Sequence, residues 1–207
     1  MRQFNGSRVA TEPENNGDAC RFMQIRKKRV IAISGMPGAG KGVAAAAARQ
    51  LGIQVLVLGD VIREETERRG LEPTPKNVGE VMLQVRKDEG PAAVANRLLH
   101  KVDALNSPTV VIEGIRSLDE LKVLKSKFDV ITIAIHASPN TRFQRLLSRG
   151  RSDDPKTWDV FYERDIRELE VGLGYVVALA DVILANGGSI SELQAKFKDC
   201  VLKLNLQ

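Results

Sequence analysis

The sequence predicts an α/β fold in which a parallel five-stranded sheet lies between layers of helix. Three observations carry that prediction. Five short β-branched runs are almost continuously apolar rather than alternating, which marks strands buried on both faces. Helical patterns fall between consecutive runs, as the crossovers of a parallel sheet require. The chain has 207 residues, ample for one such domain and short for two.

Residues 1–27 are polar and aperiodic, with the stretch Glu12-Pro13-Glu14-Asn15-Asn16-Gly17, and read as a disordered tail. Met23, just ahead of the folded part, is an alternative start. The basic patch Arg26-Lys27-Lys28-Arg29 reads as the charged flank of a buried strand, with nucleic-acid contact as the alternative. The first strand is Val30-Ile31-Ala32-Ile33-Ser34, followed by a glycine-rich loop and a helix over residues 43–50. Its five consecutive alanines, 44–48, give the helix small faces that can press close to a sheet. The second strand is Val55-Leu56-Val57-Leu58. A helical insert then spans about residues 60–103, with a hinge-like turn from Gly70 to Pro75. The third, fourth and fifth strands are Thr109-Val110-Val111-Ile112, residues 130–135 and Val182-Ile183-Leu184. Cap-plus-proline pairs at Thr74-Pro75, Ser138-Pro139 and Asp154-Pro155 mark helix starts. Gly172-Leu173-Gly174 breaks the helical pattern between Glu168 and Tyr175. Residues 28–207 thus form one domain, with a minimal lid near residues 149–167.

Composition removes several classes of function. The net charge of +5, with a pI near 9.3, suits an anionic ligand but is too modest to argue for nucleic acid unaided. Cys20 and Cys200 lie far apart with no C-x-x-C, so neither a disulfide framework nor a zinc site is indicated, and a reducing cytoplasm is the default. No apolar run reaches membrane-spanning length, and the opening residues lack the apolar core of a secretory signal. Only two histidines and no G-x-S-x-G run argue against acyl transfer.

The most specific signal is Gly35-Met36-Pro37-Gly38-Ala39-Gly40-Lys41-Gly42-Val43, set between a strand and a helix. That is the context a phosphate-binding loop needs. Glycines let the backbone form a cup of N–H donors. Lys41 adds a point charge, and the helix start adds its positive dipole end. Three sources of positive potential converge on one spot, which predicts a bound polyphosphate. The residue after the lysine, where most such loops place Ser or Thr on magnesium, is Gly42, and Val43 also lacks a hydroxyl. Magnesium must then be held by carboxylates and water from elsewhere.

Ligands of such sheets bind at the carboxyl ends of the strands. The second strand ends in Gly59-Asp60-Val61-Ile62-Arg63, and the third in Glu113-Gly114-Ile115-Arg116. The fourth ends in His136, followed by a helix with Arg142, Arg145 and Arg149 on one face. Arg151-Ser152-Asp153-Asp154 follows, and then a helix with Arg164 and Arg167. Phosphoryl transfer needs mainly positioning and electrostatic stabilisation, and the arginine fork takes phosphate oxygens without losing its charge.

These segments resemble one group of enzymes. The spelling G-x-P-G-x-G-K-G is similar to that of adenylate kinases, and Gly59-Asp60-x-Ile62-Arg63 resembles their segment after the second strand. Glu113-Gly114-Ile115-Arg116 resembles their acidic-Gly-aromatic-Pro-Arg segment, without the aromatic residue and the proline. Residues 142–154 are similar to the lid region of nucleoside monophosphate kinases, reduced to a turn. Residues 180–187 resemble the last strand of dephospho-coenzyme A kinases. From about Lys28 onward the chain resembles the archaeal adenylate-kinase-related, dephospho-coenzyme A kinase-like P-loop proteins.

The resemblance implies a nucleoside monophosphate kinase-like P-loop fold and a kinase. It would move the γ-phosphoryl of ATP–Mg²⁺ to a nucleotide-like acceptor, a nucleoside monophosphate or dephospho-coenzyme A. Residues Gly35 to Val43 hold the donor, and Arg63 and Arg116 hold the acceptor. Glu113 and Asp60 organise magnesium through water, and Arg145, Arg149, Arg151 and Arg164 close over the transferring group. The alternative is an ATPase switch or assembly factor acting on a protein or RNA partner. Several residues also have plainer roles. Asp60 caps a helix from Val61, Asp154 caps the helix after Pro155, and Asp153 orients a neighbouring arginine. His136 is structural, Trp158 packs the lid helix, and Asn186-Gly187 presents backbone to the adenine. No residue pattern fixes an oligomeric state.

Overall fold

A computed structural model describes residues 27–151 and 154–205. The tail with Cys20, Met23 and Arg26, and also Ser152 and Asp153, lie outside the described residues. Five parallel strands, β1 (Arg29–Ser34), β2 (Gln54–Val57), β3 (Thr109–Ile115), β4 (Asp129–His136) and β5 (Val182–Ala185), run in the order β2-β3-β1-β4-β5. The helices are α1 (Lys41–Gln50), α2 (Leu58–Arg68), α3 (Pro75–Glu89), α4 (Ala93–Ala104), α5 (Leu118–Lys127), α6 (Pro139–Arg149), α7 (Trp158–Val171), α8 (Leu173–Ala178) and α9 (Ile190–Asn205).

The central strand shows why there are three layers. Val30 and Ala32 pack into a core with α2, α4 and α5, through Leu98, Val102 and Leu124. Ile31 and Ile33 point the other way, into a core with α1 and α9, through Ala44, Ala47, Ala48 and Phe197. Alternate residues of a strand face opposite sides, so an apolar run with both faces covered must lie inside the sheet. Ala44, Ala45, Ala47 and Ala48 of α1 are fully buried, as their small size allows.

Several boundaries differ from the sequence reading. Leu58 begins α2 instead of ending β2, so Asp60 lies within the first turn and does not cap. Strand β3 continues through Glu113 to Ile115. Ile33 pairs with Glu113 and Ser34 with Ile115, which leaves Gly114 as an extra residue. This bulge uses a φ of +100° at Gly114, and the Ser34 hydroxyl secures it by donating to the Ile115 carbonyl at 2.8 Å. Thr74 and Ser138 cap α3 and α6 as expected. Asp154 does not cap α7; Thr157 accepts the Val160 N–H instead. Gly172, with φ +109°, ends α7 and starts α8 at the expected break. Residues 69–74 form the turn inside the insert, whose body is α2, α3 and α4.

Candidate functional site

The loop between β1 and α1 lies at the carboxyl end of the central strand, where the order reverses between neighbours β3 and β4. Glycines of this loop stand where a side chain would be strained, Gly38 and Gly40 among them. Gly38 (φ +79°) lies so close to α6 that a Cβ would come 2.7 Å from the Arg142 carbonyl oxygen. Gly40 (φ +109°) would place one 2.4 Å from Asn186 Nδ2. Asn186 is buried, donates to the Ala39 carbonyl at 2.7 Å and so ties the β5–α9 connection to the loop. The Ala39 N–H turns back onto the Met36 carbonyl at 3.0 Å. The amides of Gly38, Gly40, Lys41 and Gly42 have no protein acceptor among the described residues.

Lys41 folds over this nest. Its Nζ donates to the Gly35 carbonyl at 2.6 Å and to that of Met36 at 3.3 Å. Burial pushes its ammonium down to about 8, and Arg116 and Arg164 push the same way against Glu113 and Glu168. An ammonium so destabilised is one that added negative charge would relieve.

A cleft of about 1680 Å³ opens beside the loop. Gly35, Pro37, Gly38, Gly40, Lys41, Gly42 and Val43 line it, while Ala39 turns into the core. Arginines and lysines outnumber glutamates along its wall, and among the described residues no aspartate lines it. Arg63, Arg116, Arg145, Arg149, Arg151, Arg164 and Glu113 all reach this one cleft.

Local partners fix how those side chains stand. Arg63 pairs with Asp60, and both are more than half exposed. Arg116 lies 3.4 Å from Glu168 of α7 and donates to the Met82 sulfur at 3.4 Å. Arg145 donates to the Gly188 carbonyl at 3.1 Å and to Asn186 Oδ1 at 3.3 Å, which sets it beside the β5–α9 connection. Arg149 grips Asp154, with Nε on Oδ2 at 2.9 Å, and Arg164 approaches the same carboxylate at 3.9 Å. Asp154 also accepts the Arg151 N–H at 3.0 Å. The Arg149 guanidinium, more than burial opposes, holds the Asp154 carboxyl below its usual range.

The one-faced cationic helix needs correcting. Arg142 is 3% exposed and engaged with Asp165, because helical spacing brings it onto the loop-facing side of α6. Trp158 packs edge-on against Phe143 with centroids 5.3 Å apart, which joins α7 to α6. His136 is exposed at the end of β4. Sequence reasoning missed Arg86, which lines the cleft from α3 and donates to buried Glu120 at 2.6 Å, while its Nε and Nη1 have no partner. The second Glu120 oxygen accepts the Arg116 N–H at 2.7 Å. It also missed Glu168, although that residue follows Arg164 at helical spacing.

The donor set fits a magnesium ion only in a particular way. Gly42 and Val43 supply no side-chain oxygen, and no group of three or more metal-binding side chains exists among the described residues. Glu113 has no hydrogen-bond or ion-pair partner among them and acts electrostatically on Lys41. One carboxylate with phosphate oxygens and water is a normal set for this ion. No helix of the described residues is long and apolar enough to cross a membrane.

Residues 34–161 match a family model described as an AAA domain. The chain is 44% identical over 178 residues to a UPF0200 protein of Hyperthermus butylicus, spanning 86% of this chain and 96% of that one. It is 46% identical over 180 residues to a UPF0200 protein of Pyrococcus horikoshii, spanning 84% and 97%. Among solved structures, TT1252 from Thermus thermophilus superposes with a TM-score of 0.62 at 21% identity, over 86% of this chain and 99% of that one. Shikimate kinase from Bacteroides thetaiotaomicron does so with a TM-score of 0.59 at 20% identity, over 83% and 97%. At that identity the likeness shows a shared fold.

Proposed function

The chain belongs to the AAA-domain family and to the UPF0200 family, and from that premise we propose that it is a phosphotransferase. It binds ATP–Mg²⁺ and transfers the γ-phosphoryl to a nucleotide-like small molecule, a nucleoside monophosphate or dephospho-coenzyme A. The observation that carries this reading is the half-buried Lys41 and its nest of free amides, opening into a cleft walled by arginines.

In this reading the loop amides and Lys41 hold the donor's phosphates. An acceptor oxygen forms a bond to the γ-phosphorus as the bond to the β,γ-bridging oxygen breaks, and the electron pair leaves with ADP. Little covalent chemistry falls to the protein, whose task is to hold both anions in line and stabilise spreading charge. Arg63 and Arg116 hold the acceptor, and Arg149, Arg151 and Arg164 shield the transferring group from water. Arg145, beside the β5–α9 connection, holds the donor from its other side. Glu113 would hold the waters of magnesium, which would supply charge neutralisation between the phosphates when bound, while Asp60, paired with Arg63 and outside the cleft lining, would act only through that arginine.

A second reading, an ATPase switch driving a protein or RNA partner, is favoured by the missing hydroxyls at Gly42 and Val43. One assay separates the two. The protein is incubated with ATP–Mg²⁺ and a panel of nucleoside monophosphates and dephospho-coenzyme A, and ADP is followed. ADP that appears only with an acceptor, matched by phosphorylated acceptor, supports the kinase. ADP released without one, and stimulated by RNA or protein, supports the switch and overturns the kinase.

A further inference from the structure

We infer that the buried Arg142–Asp165 pair positions the phosphate loop and that Asp165, on α7, is therefore a positioning residue for the donor site. The inference rests on the reading that this loop holds the donor's phosphate chain.

Arg142 is 3% exposed and Asp165 is 7% exposed. The guanidinium takes the carboxylate as a fork, Nη1 to Oδ1 at 2.8 Å and Nη2 to Oδ2 at 2.5 Å. Its Nε donates to the Ala137 carbonyl at 3.1 Å, and its carbon lies 4.9 Å from the centre of the Phe161 ring. A planar group held at so many points has one position. From it, Nη1 also donates to the Pro37 carbonyl at 3.2 Å.

That last contact bears on the donor site. The Pro37 carbonyl and the Gly38 N–H belong to one planar, trans peptide and point in opposite directions. Anchoring the first on Arg142 therefore aims the second, and the Gly38 N–H is one of the loop amides without a protein acceptor. The pair is neutral as a unit, so its contribution is direction rather than charge. Buried pairs of this kind stabilise little over an apolar replacement, which leaves room for a positioning role. Helix α7 also carries Arg164 and Glu168 into the cleft, so the wall of the site and its floor share one strut.

The test uses inorganic tripolyphosphate and ATP–Mg²⁺, titrated by calorimetry into wild type and two variants. Asp165→Asn keeps the shape and leaves Arg142 with an uncompensated positive charge. A purely electrostatic role predicts tighter tripolyphosphate binding in this variant. Positioning predicts binding at least tenfold weaker. Arg142→Met with Asp165→Leu removes the pair without changing net charge, and the same loss is expected in a protein that still melts cooperatively. If that variant does not fold, Arg142→Lys, which keeps the charge and loses the fork, replaces it with the same expected loss. Wild-type affinity in the folded variants, or tighter binding in Asp165→Asn, overturns the inference. If wild type binds neither probe, the phosphate-loop reading itself has failed.

Discussion

The Lys41 ammonium donates to the Gly35 carbonyl at 2.6 Å, folding the loop's own cation back onto its backbone. With burial pushing Lys41 down to about 8, the free protein carries a fully charged lysine only below that pH. Bound phosphates would restore the charge by supplying the counter-charge that burial removes. Binding ATP at about pH 8.5 should therefore take up a proton, roughly 0.8 per site if the bound lysine is fully charged. Calorimetry in buffers of different ionisation enthalpy reads this number directly. Affinity should fall as pH rises from about 8 towards 10, and Lys41→Met should show neither uptake nor slope. An uptake of zero in the wild type would mean that Lys41 does not meet the phosphates.

Lys41→Ala should remove turnover, because it deletes the side-chain cation folded over the nest. A loss of roughly 10²–10³-fold or more is the scale for a preorganised charge-stabilising group. Arg116→Ala should act differently, raising the acceptor KM by about tenfold or more while the ATP KM moves little. The two parameters are separated by varying each substrate at saturation of the other. If Arg116→Ala left acceptor kinetics unchanged, its assigned role would be wrong.

The strands and the phosphate loop were legible because their signals are local. A β-branched apolar run of four to eight residues needs no distant partner to be recognised, and glycine spacing plus lysine is read within nine residues. What stayed hidden depends on partners far away in sequence. Spacing alone set Arg142 on the same cationic face as Arg145 and Arg149. Only the packing of α7 shows that Asp165, 23 residues on, takes it inward. Arg86 and Glu120 are 34 residues apart, and neither stands in a recognisable motif. The start of α2 was misplaced because Leu58 is as apolar as the strand before it, and the chain turns helical without a capping side chain.

Two glycine substitutions should have opposite effects. At Gly40 an added Cβ meets Asn186 Nδ2 at 2.4 Å, and the φ of +109° is itself unfavourable for alanine. Gly40→Ala should cost about 1–3 kcal/mol through this strain and weaken ATP binding with it. Gly79 lies inside α3 and an added Cβ there has nothing within 4 Å. Gly79→Ala should stabilise the fold by up to about 1 kcal/mol, since glycine is the poorer helix former. Thermal melts compare the two. Gly79 also lines the cleft, so a rise in acceptor KM alongside the gain in stability would show that the acceptor passes close to this turn.

Acid should act most strongly through Glu65, far from the phosphate loop in sequence. Its carboxylate is 5% exposed and accepts from Arg68 Nε at 2.8 Å and from Arg69 Nε at 2.7 Å, with Arg97 Nη1 at 3.1 Å. The bonds from Arg68 and Arg69 hold its pKa at about 2, against 4.5 for an unperturbed glutamate. Because the folded value is the lower one, the unfolded chain binds more protons between the two, and stability falls as pH drops. The contribution of Glu65 is complete above about 4.5 and disappears as the pH falls through about 2. Glu65→Gln keeps the shape and removes the charged acceptor of Arg68 and Arg69, while Arg97 keeps Glu89, so it should cost about 1–3 kcal/mol at pH 7. Denaturant unfolding of both proteins from pH 7 down to the lowest pH at which they fold measures the gap. It should be constant down to about 4.5 and then narrow. A gap that stayed the same across that range would show that the loss comes from packing and not from the ionised carboxylate.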